Sequence, residues 1–281
     1  MFKRKNKPQE KTDFTQLFFT HYQLGKEYLA KKDYERANYH LNNAYGLSLS
    51  FDDLDVDEKY IDECNDQLMM LENENLIYAS LLKEIEAKSQ EMTYEQITIW
   101  NLLTFCRLEK ILKLFENKKG CEILQRIPQI IENIIAILTQ EVNNAQIDEC
   151  IDFLNDLYDF GDSPAYHDPL ITVSLNHHTL QITDFIGGDF ITSLDLFLDH
   201  EVNNYISVDP SDNFITDFIA VAFGTLQSYY LRTTTSSITE IPQIKNEIER
   251  IWQDYKLLMN EPDGETILNL VDTYRQMNIY E

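Results

Sequence analysis

Through the first half of the chain, apolar residues recur at three- and four-residue steps, the spacing of one stripe along a 3.6-residue helix. Phe14, Leu17, Phe18, His21, Leu24, Gly25 and Tyr28 make the first stripe, with Tyr22 off it. Tyr34, Ala37, Leu41, Ala44 and Tyr45 make the second, with Tyr39 off it. Asp33 stands where a cap belongs, since a short carboxylate accepts from the orphan amides of a helix start. Residues 30–33 alone separate the stripes, and a link that short returns the chain antiparallel. The pattern therefore predicts a helical hairpin.

The same period continues over 57–73 through Tyr60, Ile61, Cys64, Leu68 and Leu71, and over 76–88 through Ala79, Leu82 and Ile85. Thr93 and Gln96 have the spacing of a capping box. They open a helix that carries Ile97, Trp100, Leu103, Leu108, Ile111, Leu112 and Phe115 and stops before Gly120. Pro128 starts or kinks the next element. Residues 129–142 are apolar almost all round, the pattern of a central helix. Residues 147–158 follow with Ile151, Leu154 and Tyr158, and end at Gly161.

Turn formers then crowd into 161–169, which marks a boundary. Beyond it, Leu170, Val173 and Leu175 alternate with polar residues, as do Leu180 and Ile182. That alternation predicts a small β-hairpin near 170–186, turning at Asn176-His177-His178. Gly187-Gly188 ends it. Gly187-Gly188-Asp189-Phe190 resembles the signature loop of diguanylate cyclases, but Phe190 stands where that family needs an acid. The glycines are accordingly read as a turn before Asp189 as an N-cap. Helices resume over 189–203, 211–231, 241–260 and 264–277. The expected fold class is mainly α. The expected organisation is a disordered basic tip (1–12), a helical domain (13–160) and an acidic, mostly helical C-terminal domain (161–281).

Leu24-Gly25, Tyr28, Tyr34, Ala37, Leu41 and Ala44 together resemble the tetratricopeptide (TPR) repeat over about residues 18–51. In that pattern small residues let paired helices approach closely, here Gly25 and Ala37. Ala44 leaves room for the next hairpin, and Tyr28 and Leu41 fill the seam. His21 replaces the usual Trp of the pattern and Leu49 the usual Pro. The resemblance implies TPR-like hairpins stacked into an array, because one repeat cannot bury its own face.

Charge changes the picture most. The 281 residues hold 23 Lys+Arg against 48 Asp+Glu, a formal charge of −25. Phosphates need cations to meet them, so nucleic acid is excluded as a primary partner. Residues 127–231 contain no Lys or Arg at all, yet hold 17 Asp+Glu and four of the six His. Carboxylates without interspersed cations repel one another. Such a surface either serves solubility or attracts something basic. The first eleven residues carry five basic groups but no apolar stretch follows, so a secretory signal is not expected. No stretch has the roughly 18 consecutive apolar residues of a membrane span, so no stable insertion is expected. Cys64, Cys106, Cys121 and Cys150 lack C-x-x-C spacing and fall in apolar helical patterns, so they read as small hydrophobes in a cytoplasmic protein.

Candidate chemistry is sparse. Asp195, Asp199 and His200 lie four and five residues apart on an expected helix, with Glu201 next. With His167 or His177 and His178 from loops, they offer carboxylate and imidazole ligands for a metal-dependent enzyme. No closed metal or nucleotide signature supports them. The leading expectation is a non-enzymatic, cofactor-free interaction protein that binds a protein or peptide with basic groups. Its candidate binding residues are Tyr22, Tyr39, Asp195, Asp199 and Glu201. In charge alone it is similar to immunity proteins and other inhibitors of basic nucleases.

Overall fold

The computed structural model describes residues 14–50, 55–72, 76–139, 144–161, 163–166, 168, 170–184, 193, 217–234 and 236–280. They are mainly helical with one small antiparallel hairpin. Two compact units divide at Ala79/Ser80. None of the described helices is long and apolar enough to cross a membrane.

In the first unit, α1 (Phe14–Ala30) and α2 (Tyr34–Ser50) form the expected hairpin. Lys32, at φ 60°, makes the turn, and Asp33 caps α2 by accepting from the amide of Arg36 at 3.3 Å. The helices approach closely at Gly25. A Cβ there would lie 2.7 Å from Leu41 Cγ and 3.3 Å from the Leu41 amide nitrogen. Ala37, Leu41 and Ala44 are fully buried at this seam. α3 (Glu58–Glu72) packs on α2 through Cys64, whose thiol donates to the Leu41 carbonyl at 3.2 Å. Leu68 and Leu71 complete the same core.

One expectation about α1 is corrected here. Its buried line runs through Phe18, Tyr22 and Gly25, and Tyr22 is only 1% exposed. The ring of Tyr22 stacks on Phe18 and meets Tyr60 of α3 edge-on at 5.6 Å. Because α1 faces both α2 and α3, its buried arc is wider than a single stripe and takes in Tyr22.

In the second unit, α4 (Ile77–Ser89, which begins within the first) is followed by α5 (Tyr94–Lys113). The capping box is present in full: the Gln96 amide donates to the Thr93 hydroxyl, and the Thr93 amide to the Gln96 side chain at 2.8 Å. α5, rather than the apolar segment after Pro128, is the most enclosed helix among those described. Every residue from Trp100 to Glu109 is buried. α6 (Ile127–Leu138), with Pro128 in its first turn, is amphipathic instead. α5 hides its polar residues by finding partners far along the chain. α9 (Pro242–Leu258) and α10 (Gly264–Arg275) supply them. Arg107 is clamped by Glu247 at 2.9 Å and Asp254 at 2.7 Å, and the Tyr274 hydroxyl donates to Asp254 at 2.7 Å. Glu109 meets Lys113 and Arg275, and the Trp100 indole donates to the Ile251 carbonyl at 3.2 Å. These bonds join α5 to the C-terminal helices across 161–169, where the sequence placed a boundary. Pro164 lies in a turn there, and residues 80–281 form one compact unit.

α7 (Asn144–Gly161) packs on α6. The predicted hairpin follows as β1 (Thr172–Leu175) and β2 (His178–Gln181), pairing Thr172 with Gln181 and Leu175 with His178. Asn176 and His177, at φ 48° and 69°, form a two-residue turn in which both residues are left-handed, the form that matches strand twist. The side-chain amide of Asn176 donates to the Tyr280 carbonyl, as does the Tyr230 hydroxyl of α8 (Asp217–Thr233), each at 2.9 Å.

Candidate functional site

α7 carries five carboxylates and no Lys or Arg. Its inner face buries Ile147, Cys150, Phe153, Leu154, Leu157 and Phe160. At about 100° per residue, Asp148, Asp152, Asn155 and Asp159 fall in one line on the opposite, exposed face. From Asp148 to Asp159 this ridge runs about 16 Å, at about 1.5 Å per residue. Ile151 and Tyr158 lie along one flank and are exposed, Tyr158 at 56%. Along the other flank Glu149 and Asp156 are both held by Arg126, whose guanidinium also stands 5.4 Å from the Phe153 ring.

Arg126 is the last cation before the long run without any. It neutralises two carboxylates of α7, and Arg275 takes a third acid of the run, Glu132 on α6. Asp148, Asp152 and Asp159 have no ion pair among the described residues. An exposed helix bearing three like charges attracts cations and repels anions, and screening by salt weakens both effects. The apolar flank offers hydrophobic contact beside the charge.

The residues singled out from the sequence fall differently. Tyr22 belongs to the core, as described above. Its hydroxyl accepts from Lys26 at 3.1 Å, and Lys26 also pairs with Glu63 at 2.6 Å. Tyr39 is half-buried and stands edge-on to His40 at 5.1 Å. Asp195, Asp199, His200 and Glu201 lie outside the described residues, as does His167. His177 and His178 are exposed at the turn of the β-hairpin. No group of three or more metal-ligating side chains occurs among the described residues. All four cysteines are free and buried. Burial pushes the Cys106 thiol up to about 12 and those of Cys64 and Cys150 to about 11.

Two features escaped the sequence reading. The α7 ridge is legible as Asp at positions 148, 152 and 159, spaced four and seven apart, but a count of acids along the run does not show that they share a face. The other is a contact between His21 of α1 and His40 of α2, whose Nδ1 atoms are 3.0 Å apart. No periodicity marks that pair. Comparison with protein families, curated protein sequences and solved structures returns no match to this chain.

Proposed function

We propose that this chain is a non-enzymatic interaction module of TPR-like build, which receives a basic protein or peptide on its acidic surface. The observation that carries the reading is the α7 ridge: three carboxylates without an ion pair among the described residues, flanked by exposed Ile151 and Tyr158, within a run lacking Lys and Arg. Long-range attraction brings a cationic partner in quickly, and the apolar flank gives it somewhere to bury surface. The TPR-like part of the reading is supported by the close approach at Gly25 and by small, buried Ala37 and Ala44 with α3 packed against that hairpin. Four free, buried thiols suit a reducing compartment, and the cytoplasm is the one we assign.

The test is capture from native lysate on the immobilised chain at low ionic strength, followed by elution with salt. A partner that is released on approaching about 0.15 M salt, saturates at one copy per chain and is lost from an Asp148→Asn, Asp152→Asn, Asp159→Asn variant supports the reading. Retention indifferent to salt and to the triple substitution overturns its electrostatic part.

A further inference from the structure

We propose that the His21–His40 contact is an acid-sensitive latch: it joins α1 to α2 while no more than one of the two rings is protonated, and it opens when both are. The proposal is independent of the acidic-surface reading.

The two rings come from facing helices and meet through Nδ1 atoms 3.0 Å apart, with centroids at 5.2 Å. At that distance one Nδ1 carries a hydrogen and donates, while the other presents its lone pair. In the neutral pair the donor ring keeps a free lone pair on Nε2, and the acceptor ring carries its hydrogen on Nε2. A first added proton goes to Nε2 of the donor ring. This leaves the Nδ1–H···Nδ1 bond intact and makes it charge-assisted. A second proton has only the acceptor Nδ1 to go to, which is the atom receiving the bond. Two N–H groups then point at each other at 3.0 Å, both rings are cationic, and the contact breaks.

The surroundings oppose even the first proton. Both rings are half-buried. His40 lies parallel to the Tyr28 ring at 5.5 Å, and Tyr39 closes on both histidines edge-on. The charged group nearest this cluster on α2 is Arg36, whose guanidinium stands 5.7 Å from the Tyr28 ring. Arg36 is itself paired with Asp33 at 2.8 Å. At the end of α1, Lys31 Nζ stands 5.3 Å from the same Tyr28 ring, while Lys26 is engaged by Glu63 of α3 and the Tyr22 hydroxyl. No carboxylate is bonded to either imidazole among the described residues. Burial accordingly lowers His21, and burial with His21 and Arg36 lowers His40 to about 4.

The sign follows. A histidine held below its ordinary value of about 6.5 takes up protons more readily in the open hairpin than in the closed one. The latch is at full strength above about 6.5, weakens progressively as pH falls toward about 4, and is restored by raising pH again.

The experiment is hydrogen exchange on the full chain, read on peptides covering residues 14–50 and corrected for intrinsic exchange. Wild type is compared with His40→Asn and His21→Asn, in which the amide nitrogen stands near the place of Nδ1 but does not titrate. Protection of α1 and α2 is expected to fall at least tenfold between about pH 7 and about pH 5 in wild type, and to stay level in either variant. Histidine ring resonances of wild type alone provide a second readout that needs no folded variant. Two rings should titrate below a free histidine peptide in the same buffer, and their titrations should be coupled. Equal acid loss of protection in the variants, or no pair of ring resonances below the peptide, overturns the latch.

Discussion

Gly25 and Gly46 sit on the two helices of the first hairpin, and a methyl group acts oppositely at the two positions. At Gly25 the added carbon falls within 2.8 Å of two atoms of the fully buried Leu41 side chain and 3.3 Å from its backbone nitrogen. Overpacking of that kind costs about 1–3 kcal/mol, which outweighs the roughly 1 kcal/mol of helix propensity that Ala gains over Gly. Gly25→Ala is therefore expected to destabilise the first unit, and Gly25→Val more so. A methyl at Gly46 meets nothing within 4 Å, so Gly46→Ala is expected to stabilise by up to about 1 kcal/mol. Urea titrations followed by circular dichroism read both signs. Thiol chemistry gives another residue-scale forecast. With all four cysteines buried and their thiols raised by burial, a thiol-reactive chromophore should label the native protein slowly, and four thiols should appear on denaturation. Fast labelling of any one in native buffer would contradict that burial.

Among the elements, α5 depends most on others. Arg107 is buried completely between Glu247 and Asp254. Removing one partner of a buried ion pair leaves the others uncompensated and costs about 3–5 kcal/mol. Arg107→Met should lower the unfolding free energy of the second unit by that amount, read from urea titration, and adding Glu247→Gln with Asp254→Asn should recover part of it. A triple variant no better than the single one would show that the charges contribute little. Local signals made much of the fold legible. Asp33 announced the start of α2, Thr93 and Gln96 that of α5, and alternation around Asn176 and His177 the hairpin. The burial of α5 was hidden because Arg107 and Glu109 are charged residues whose partners on α9 and α10 stand too far along the chain for any window to see. Tyr22 is hidden from a one-stripe pattern for a related reason: α1 touches two neighbours, and Tyr22 packs toward α3.

At the scale of the molecule, salt should act in opposite directions on folding and on binding. With a formal charge of −25, screening relieves self-repulsion, so the melting temperature should rise as sodium chloride goes from near zero to about 0.15 M. Over the same range, affinity for a basic partner should fall. Calorimetry and binding titrations in one buffer series check both, and parallel trends would refute the charge argument. Of the acidic surface, the sequence disclosed its sign and approximate extent. It did not disclose that Arg126 and Arg275 neutralise three of its carboxylates, because pairing depends on how helices pack.

The long-range bonds of α5 also bear on how the protein is made. Arg107 and Glu109 find their partners 140 to 166 residues later in the chain. At synthesis rates of about 5–20 residues per second, roughly ten to thirty seconds pass between the emergence of α5 and that of the groups that satisfy it. For that interval the nascent helix has ionic side chains that no interior can accept. The second unit can therefore close only once α9 and α10 have emerged, and a chain released before α9 has only the core of the first unit complete.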